Sequence, residues 1–228
     1  MDTEIFYKNP LLIIYVPGYL SGEDKQHEVK QQLYRLYNIN INDPSSPDVV
    51  IFNWDSVASY AVALHNSIEA ANDLVQYLKD LPCGNNVVLI GHSLGALVVA
   101  RAMRKILFNS YYGAKQVVLL GAAIDAITDL RHMCEVTEYP VINVINNNDL
   151  ILNTVYSIFS GCPALGSHGG YCKHTDNYVE LELLQKEPNI TKADSVHEFA
   201  NQMLDATGHS ASRVYIDSLI NGNYIINR

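Results

Sequence analysis

Val87 to Ala96 reads VVLIGHSLGA. Val87 to Ile90 is a short apolar run rich in β-branched residues, the composition of a strand buried on both faces. It ends in Gly91-His92-Ser93-Leu94-Gly95, and an apolar pattern of helical character, Ala96 to Met103, follows at once. Strand, tight turn and helix in that order turn the common pattern G-x-S-x-G into a specific one, the nucleophile elbow. The glycines answer to sterics. Side chains at those two positions would meet the neighbouring strand and helix, and the turn drives the serine between them into a strained backbone conformation. The expected result is a Ser93 hydroxyl at the carboxyl end of a strand, above a helix N-terminus. There the helix dipole and the N–H of Leu94 favour developing negative charge. Ser93 is therefore a candidate nucleophile.

Outward from this stretch the same alternation continues. Leu11 to Val16 is a second continuous apolar run and ends in the turn signal Pro17-Gly18-Tyr19. Glu23 to Tyr37 takes a helical pattern, with Val29, Leu33 and Leu36 on one face. After the loop Asp43 to Pro47, Asp48 to Trp54 (DVVIFNW) predicts a strand, and Asp55 and Ser56 are suited to cap the helix after it. That helix shows one apolar stripe, Val57, Ala61, Leu64, Ile68, Ala71, Val75 and Leu78, and closes at Leu81-Pro82-Cys83-Gly84. The elbow helix is expected to run to about Phe108, with strands at Gln116 to Leu120 and Pro140 to Asn146. Gly161 to Lys173 (GCPALGSHGGYCK) has no period and predicts a long loop near the mouth of the site. Tyr178 to Leu184 predicts a short strand, Asp194 to Leu204 a helix, and a last helix begins near His209. Apolar strands alternating with helices predict one α/β domain over residues 1–228, with a mainly parallel sheet and helices on both faces.

Composition bounds the partners. With 24 acidic residues against 15 basic ones, the net charge is −9, and no basic run occurs, so nucleic acid and anionic membrane surfaces are poor partners. No apolar run approaches the ~18 residues of a membrane span. The opening MDTEIF is acidic and lacks the basic region of a secretory signal. The four cysteines, Cys83, Cys134, Cys162 and Cys172, have no tight framework spacing. The expected protein is cytoplasmic, without a transmembrane segment. Oligomeric state leaves no trace in the sequence.

In order along the chain stand VPGYL at 16–20, NWDS at 53–56, GHSLGA at 91–96, LLGAAI at 119–124, INNND at 145–149 and GHSASRVY at 208–215. On these the chain resembles the α/β-hydrolases, and within them the branch that includes the transmembrane-and-coiled-coil-domain hydrolase-like proteins. The resemblance implies a compact α/β-hydrolase fold and a Ser-acid-His triad in that chain order. Asp149 follows the PVINVIN strand at the sheet edge that Ser93 would occupy, and is the first choice for the acid. It is also good turn or cap chemistry, which does not exclude the role. Asp125 is second and Asp129 third. For the base, His92 is turned away within the elbow, His27 and His65 lie on early helices, and His132 precedes the acid. Of His168, His174, His197 and His209, His209 follows Gly208 and matches the tail motif of the branch, with His168 second. The oxyanion hole needs two backbone donors. Leu94 supplies one, and the resemblance places the other at Tyr19, with Leu20 as the alternative.

Cys162, His168, Cys172 and His174 are zinc-ligand types, but their spacing fits no standard knuckle, and no metal or cofactor is expected. The expected activity is cleavage of a small-molecule or lipid ester by Ser93, His209 and Asp149. A lipase or phospholipase is the neighbouring reading and would call for a lid from residues 121–138 or 160–175. A binding protein that keeps the fold without catalysis is the reading from another class.

Overall fold

The computed structural model describes residues 6–7, 10–19, 23–43, 45–82, 86–106, 112–149, 151–170, 175–184 and 212–227. Seven strands form one sheet: β1 (Leu12–Val16), β2 (Asp48–Ile51), β3 (Val87–His92), β4 (Gln116–Leu120), β5 (Val141–Ile145), β6 (Tyr178–Leu183) and β7 (Tyr224–Asn227). Their spatial order is β2-β1-β3-β4-β5-β6-β7. Every pairing is parallel except β6 with β7. Strands buried on both faces need apolar residues at successive positions, and β1, β3, β4 and β5 have every residue buried.

Alternate side chains feed two cores. Ile14, Leu89 and Leu119 face α2 (Tyr60–Asp80), α3 (Leu94–Met103) and α4 (Arg131–Val136). Ile13, Val88, Val118 and Ile142 face α1 (Glu23–Leu36) and the C-terminal α7 (Ser212–Asn221). Helices thus cover both faces, as expected of an α/β chain. No helix among the described residues is long and apolar enough to cross a membrane.

The register sets the carboxyl ends of the central strands level. Val16 lies opposite Gly91, His92 opposite Leu120, and Leu120 opposite Val144. The chain leaves β1 for β2 on one side and returns to β3 on the other, so strand order reverses between β1 and β3. In open parallel sheets the crevice outside such a switch point is the usual ligand site.

Several elements depart from the sequence expectation. The second strand stops at Ile51, and α2 begins at Tyr60, with Ser59 before it making no side-chain cap. Asp55 and Ser56 are therefore not its caps. The buried stripe of α2 is Ala63, Ser67, Ala70, Ala71, Leu74, Val75 and Leu78, whereas Val57 and Ile68 are exposed. The stripe turns because α2 packs on α3 and not on the sheet alone. The elbow helix closes at Met103. Gly161 to Gly170 is no plain loop but holds a short helix, α6 (Leu165–His168), and a bridge from Ala164 to Asp125. The added elements are β7, π-helical turns over Ile151–Tyr156, and α5 (Ser157–Ser160) running on from them. The expected helix over 194–204 lies outside the described residues.

The buried carboxylate of Glu180 on β6 is accommodated by donors: it accepts the Gly170 N–H at 2.7 Å and the Tyr178 hydroxyl at 3.0 Å. Leu74, at 0% exposure, joins α2 to the core above β1 and β3. Leu74→Ala is expected to cost about 2–5 kcal/mol, read as a lower urea midpoint with an unchanged slope.

Candidate active site

Ser93 has φ 53° and ψ −122°, a left-handed conformation that non-glycine residues rarely hold. Neighbours on β4, on α3 and in the segment after β4 impose it. The Ser93 N–H donates to the Leu120 carbonyl at 3.0 Å, and its own carbonyl accepts the N–H groups of Ala96 at 3.0 Å and Ala123 at 3.2 Å. The flanking glycines are required by contact. A Cβ on Gly91 would lie 2.6 Å from Ala96 Cα. On Gly95 it would lie 2.1 Å from the Val16 carbonyl oxygen and 2.5 Å from that of Pro17. The elbow reading therefore holds in detail, and it draws the turn after β1 against the first turn of α3.

That turn carries the second expected oxyanion donor. Gly18 packs directly on Ser93, since a Cβ there would stand 2.9 Å from Ser93 Cβ. Tyr19 follows Gly18, and the turn is fastened on its far side by Trp54 Nε1, which donates to the Pro17 carbonyl at 2.8 Å. The Tyr19 hydroxyl donates to the Ala58 carbonyl at 2.7 Å, and its ring packs edge-on against Tyr60. Leu94 is the first residue of α3, so its N–H has no intrahelical acceptor. Its side chain joins Ala63, Ala123, Leu152, Tyr156 and Ala164 in a small apolar cluster lined by Tyr19 and Tyr60. Leu20 lies outside the described residues.

Asp149 sits past the end of β5 at the same edge of the sheet. It is fully buried. One carboxylate oxygen, Oδ1, accepts the Leu152 N–H at 3.0 Å, as a helix cap would, and Oδ2 accepts the Tyr215 hydroxyl at 2.8 Å. The turn and cap chemistry read from Asn146 to Asp149 is thus real, and it leaves the carboxylate held rigidly. Tyr215 comes from α7, is itself fully buried, and its ring centroid lies 5.9 Å from that of His92. Tyr215 is the residue that sequence reasoning passed over. The signal available was an aromatic in step with Ile216 and Leu219 on the apolar face of a C-terminal helix.

The other candidates are placed differently. Asp125 is half-buried and accepts the Tyr156 hydroxyl at 2.9 Å. Burial first, then this bond and the Asp125 charge, push the Tyr156 phenol well above its ordinary range. Asp129 is exposed and paired with Arg131 at 2.6 Å, which removes it from the site. His168 is exposed at the end of α6, its Nδ1 2.8 Å from Ser167 Oγ. His92 is buried, His132 Nε2 lies 2.8 Å from the Ile106 carbonyl oxygen, and His27 and His65 are exposed on α1 and α2. His209, with His174, His197, Cys83 and Cys172, lies outside the described residues. Cys134 is buried, its Sγ accepting the Thr175 hydroxyl at 3.8 Å, and Cys162 is half-buried. No group of metal-ligand side chains converges among the described residues.

A family model described as "Protein of unknown function (DUF726)" matches residues 54–168, just over half of the 228-residue chain, and the chain belongs to that family. Among curated proteins none matches the sequence. Among solved structures, Est1E from Butyrivibrio proteoclasticus is similar at TM-score 0.49 and 12% identity, over 95% of this chain and 88% of that one. A cutinase-like protein from Cryptococcus sp. is similar at TM-score 0.46 and 15% identity, over 93% of each chain. At that level of likeness the fold assignment rests on strand order, register and the elbow itself.

The Arg131 side chain, with its backbone N–H, holds the Asp129 carboxyl down to about 2. A folded-state value below the unfolded one stabilises above the unfolded value and is lost as pH falls through about 2. NMR titration of Asp129 is expected to find that depressed midpoint, and Arg131→Gln to return it toward the ordinary ~3.9.

Proposed function

We propose that this member of the DUF726 family is a serine hydrolase that cleaves carboxylic esters through an acyl-enzyme. The observation that carries the reading is the backbone of Ser93, held left-handed at the switch point of a parallel sheet with Gly18 against its Cβ. Strain of this kind costs about 1–3 kcal/mol and persists where surroundings over-determine it, which marks functional turns.

In the proposed reaction Ser93 Oγ attacks the acyl carbon while His209 takes its proton. The tetrahedral oxyanion is met by the N–H groups of Leu94 and Tyr19. The C–O bond to the alcohol breaks, and His209 returns the proton to the leaving oxygen. Water, deprotonated by His209, then attacks the acyl-enzyme; acid is released and Ser93 regains its proton. Asp149 orients His209 and stabilises its charged form. The assignment of Asp149 over Asp125 is supported by its burial and its fixed carboxylate; Asp125 is engaged by Tyr156 at the rim. His209 stands three residues before Ser212, where the helix that reaches Asp149 begins. His168 is the second choice for the base. No metal or cofactor takes part in this scheme.

The lipase reading has an observation of its own. Val57, Ile127, Ile158 and Phe159 are 70%, 66%, 79% and 69% exposed, and all lie in segments that leave carboxyl ends of strands. Phe159 stacks on Tyr60 at 5.4 Å and Tyr60 meets Tyr19 at 6.0 Å, so rings lead from the oxyanion turn to the surface. An apolar rim of this kind suits a lipid ester presented at an interface. Residues 151–160 supply part of it, and they lie between the two segments expected to form a lid. Those two are laced together, the Ala126 N–H donating to the Pro163 carbonyl at 2.8 Å.

Two experiments test these readings. A fluorophosphonate probe is expected to label the wild type and not Ser93→Ala, with His209→Ala and Asp149→Ala slowed by roughly 10²-fold or more. Undiminished labelling of His209→Ala transfers the base to His168, and a wild type that never labels favours the non-catalytic binding protein. For the rim, the double variant Ile158→Asp, Phe159→Asp is expected to lose roughly tenfold or more on an emulsified ester while its rate on p-nitrophenyl acetate stays level. Equal rates on both substrates would assign a soluble ester.

A further inference from the structure

We propose that Tyr215 is a positioning residue for the triad acid: its hydroxyl fixes the Asp149 carboxylate in the orientation that serves the base. The inference rests on the hydrolase reading above and goes beyond it by giving the C-terminal helix a part in catalysis.

Two hydrogen bonds and two packing neighbours converge on one side chain. Its hydroxyl donates to Asp149 Oδ2 at 2.8 Å. Asn146, four residues past Ile142 on the same strand end, hydrogen-bonds it from its side chain. Gly121 makes room for it: that residue sits at φ +49°, and a Cβ there would stand 2.4 Å from the Tyr215 oxygen. The ring behind the hydroxyl lies against His92, next to the nucleophile. Tyr215 therefore touches the ends of β3, β4 and β5 from α7, and it is buried completely.

A buried carboxylate is costly unless donors satisfy it, and the number of donors also decides how far it can turn. The Leu152 N–H fixes Oδ1 and the Tyr215 hydroxyl fixes Oδ2, so rotation about the Cβ–Cγ bond would break one or the other. A carboxylate oxygen has lone pairs for more than one donor, so this clamp leaves capacity for an imidazole N–H. Burial, with the Asp149 charge, pushes the Tyr215 phenol well up, which keeps the hydroxyl a donor throughout the range in which esters are cleaved. The packing need on this helix face would be met by phenylalanine. Among the described residues the hydroxyl's hydrogen-bond partners are Asp149 and Asn146.

The test is a double-mutant cycle on p-nitrophenyl butyrate, with Tyr215→Phe, Asp149→Asn and the pair, on the full chain. Tyr215→Phe is expected to lower kcat roughly tenfold with KM unchanged, and to cause no further loss in the Asp149→Asn background. Urea midpoints of all three variants are read beside kcat, and a Tyr215→Phe that keeps the wild-type midpoint while losing kcat separates positioning from lost stability. A Tyr215→Phe enzyme with wild-type kcat, beside an impaired Asp149→Asn, overturns the inference and leaves the hydrolase reading standing. So do losses that simply multiply, which assign Tyr215 to helix packing. An inert wild type, or Asp149→Asn at full rate, overturns the reading itself and the inference with it.

Discussion

The approach of α3 to the turn after β1 is the constraint on which the rest depends. With no Cβ at Gly95, helix backbone comes against the carbonyls of Val16 and Pro17; with none at Gly18, that turn closes over Ser93. A side chain at either position would force the helix and the turn apart. The separation would undo the level carboxyl ends of β1, β3 and β4, because Val16 and Gly91 are paired residues of the ladder. The left-handed Ser93 then follows as the one conformation that joins a strand so placed to a helix so close. The hydrogen bond it donates to the Leu120 carbonyl and those it accepts from Ala96 and Ala123 hold it there.

Beneath this turn neutral donors meet two buried carboxylates. Asp149 is met by a backbone N–H and a phenol, and Glu180 by a backbone N–H and another phenol. The described salt bridges lie elsewhere and keep at least one exposed carboxylate, as Lys115 with Glu138 and Arg131 with Asp129 do. Neutral donors have a consequence for an active site. They fix a carboxylate while leaving its full charge, which a lysine or arginine partner would cancel. In the reaction proposed above, that charge would serve the His209 imidazolium.

Above the turn the chemistry changes to aromatic and aliphatic surface. Tyr19, Tyr60 and Phe159 form a graded path from the buried cluster around Leu94 to the exposed rim. Tyrosine suits such a path, since each ring offers apolar area while its hydroxyl finds a partner, as those of Tyr19 and Tyr156 do. The polar floor and apolar rim meet at Ser93. An ester, with an apolar acyl group and a polar carbonyl, has the same two-sided character.

The local parts of this arrangement were legible in the sequence because they answer to local causes. Apolar runs with no polar interruption had to be doubly buried strands, and a serine between glycines at a strand-to-helix junction had to be an elbow. Asp149 was legible too, as the acidic residue one turn past a strand. What the sequence left open depends on contacts between distant segments. The face that α2 buries shifted because α3 packs beside it, and its first turn was lost where Trp54 turned back to hold Pro17. The edge strand Tyr224–Asn227 is too short to be read without the strand it pairs with. Tyr215 lies 66 residues from Asp149, so only the closing of α7 over the sheet could bring its hydroxyl to that carboxylate. Sequence alone therefore determined the class of fold and the strained serine turn, through backbone sterics and burial period. The setting of Asp149 was decided by tertiary structure, because a hydrogen bond between remote residues has no signature in either.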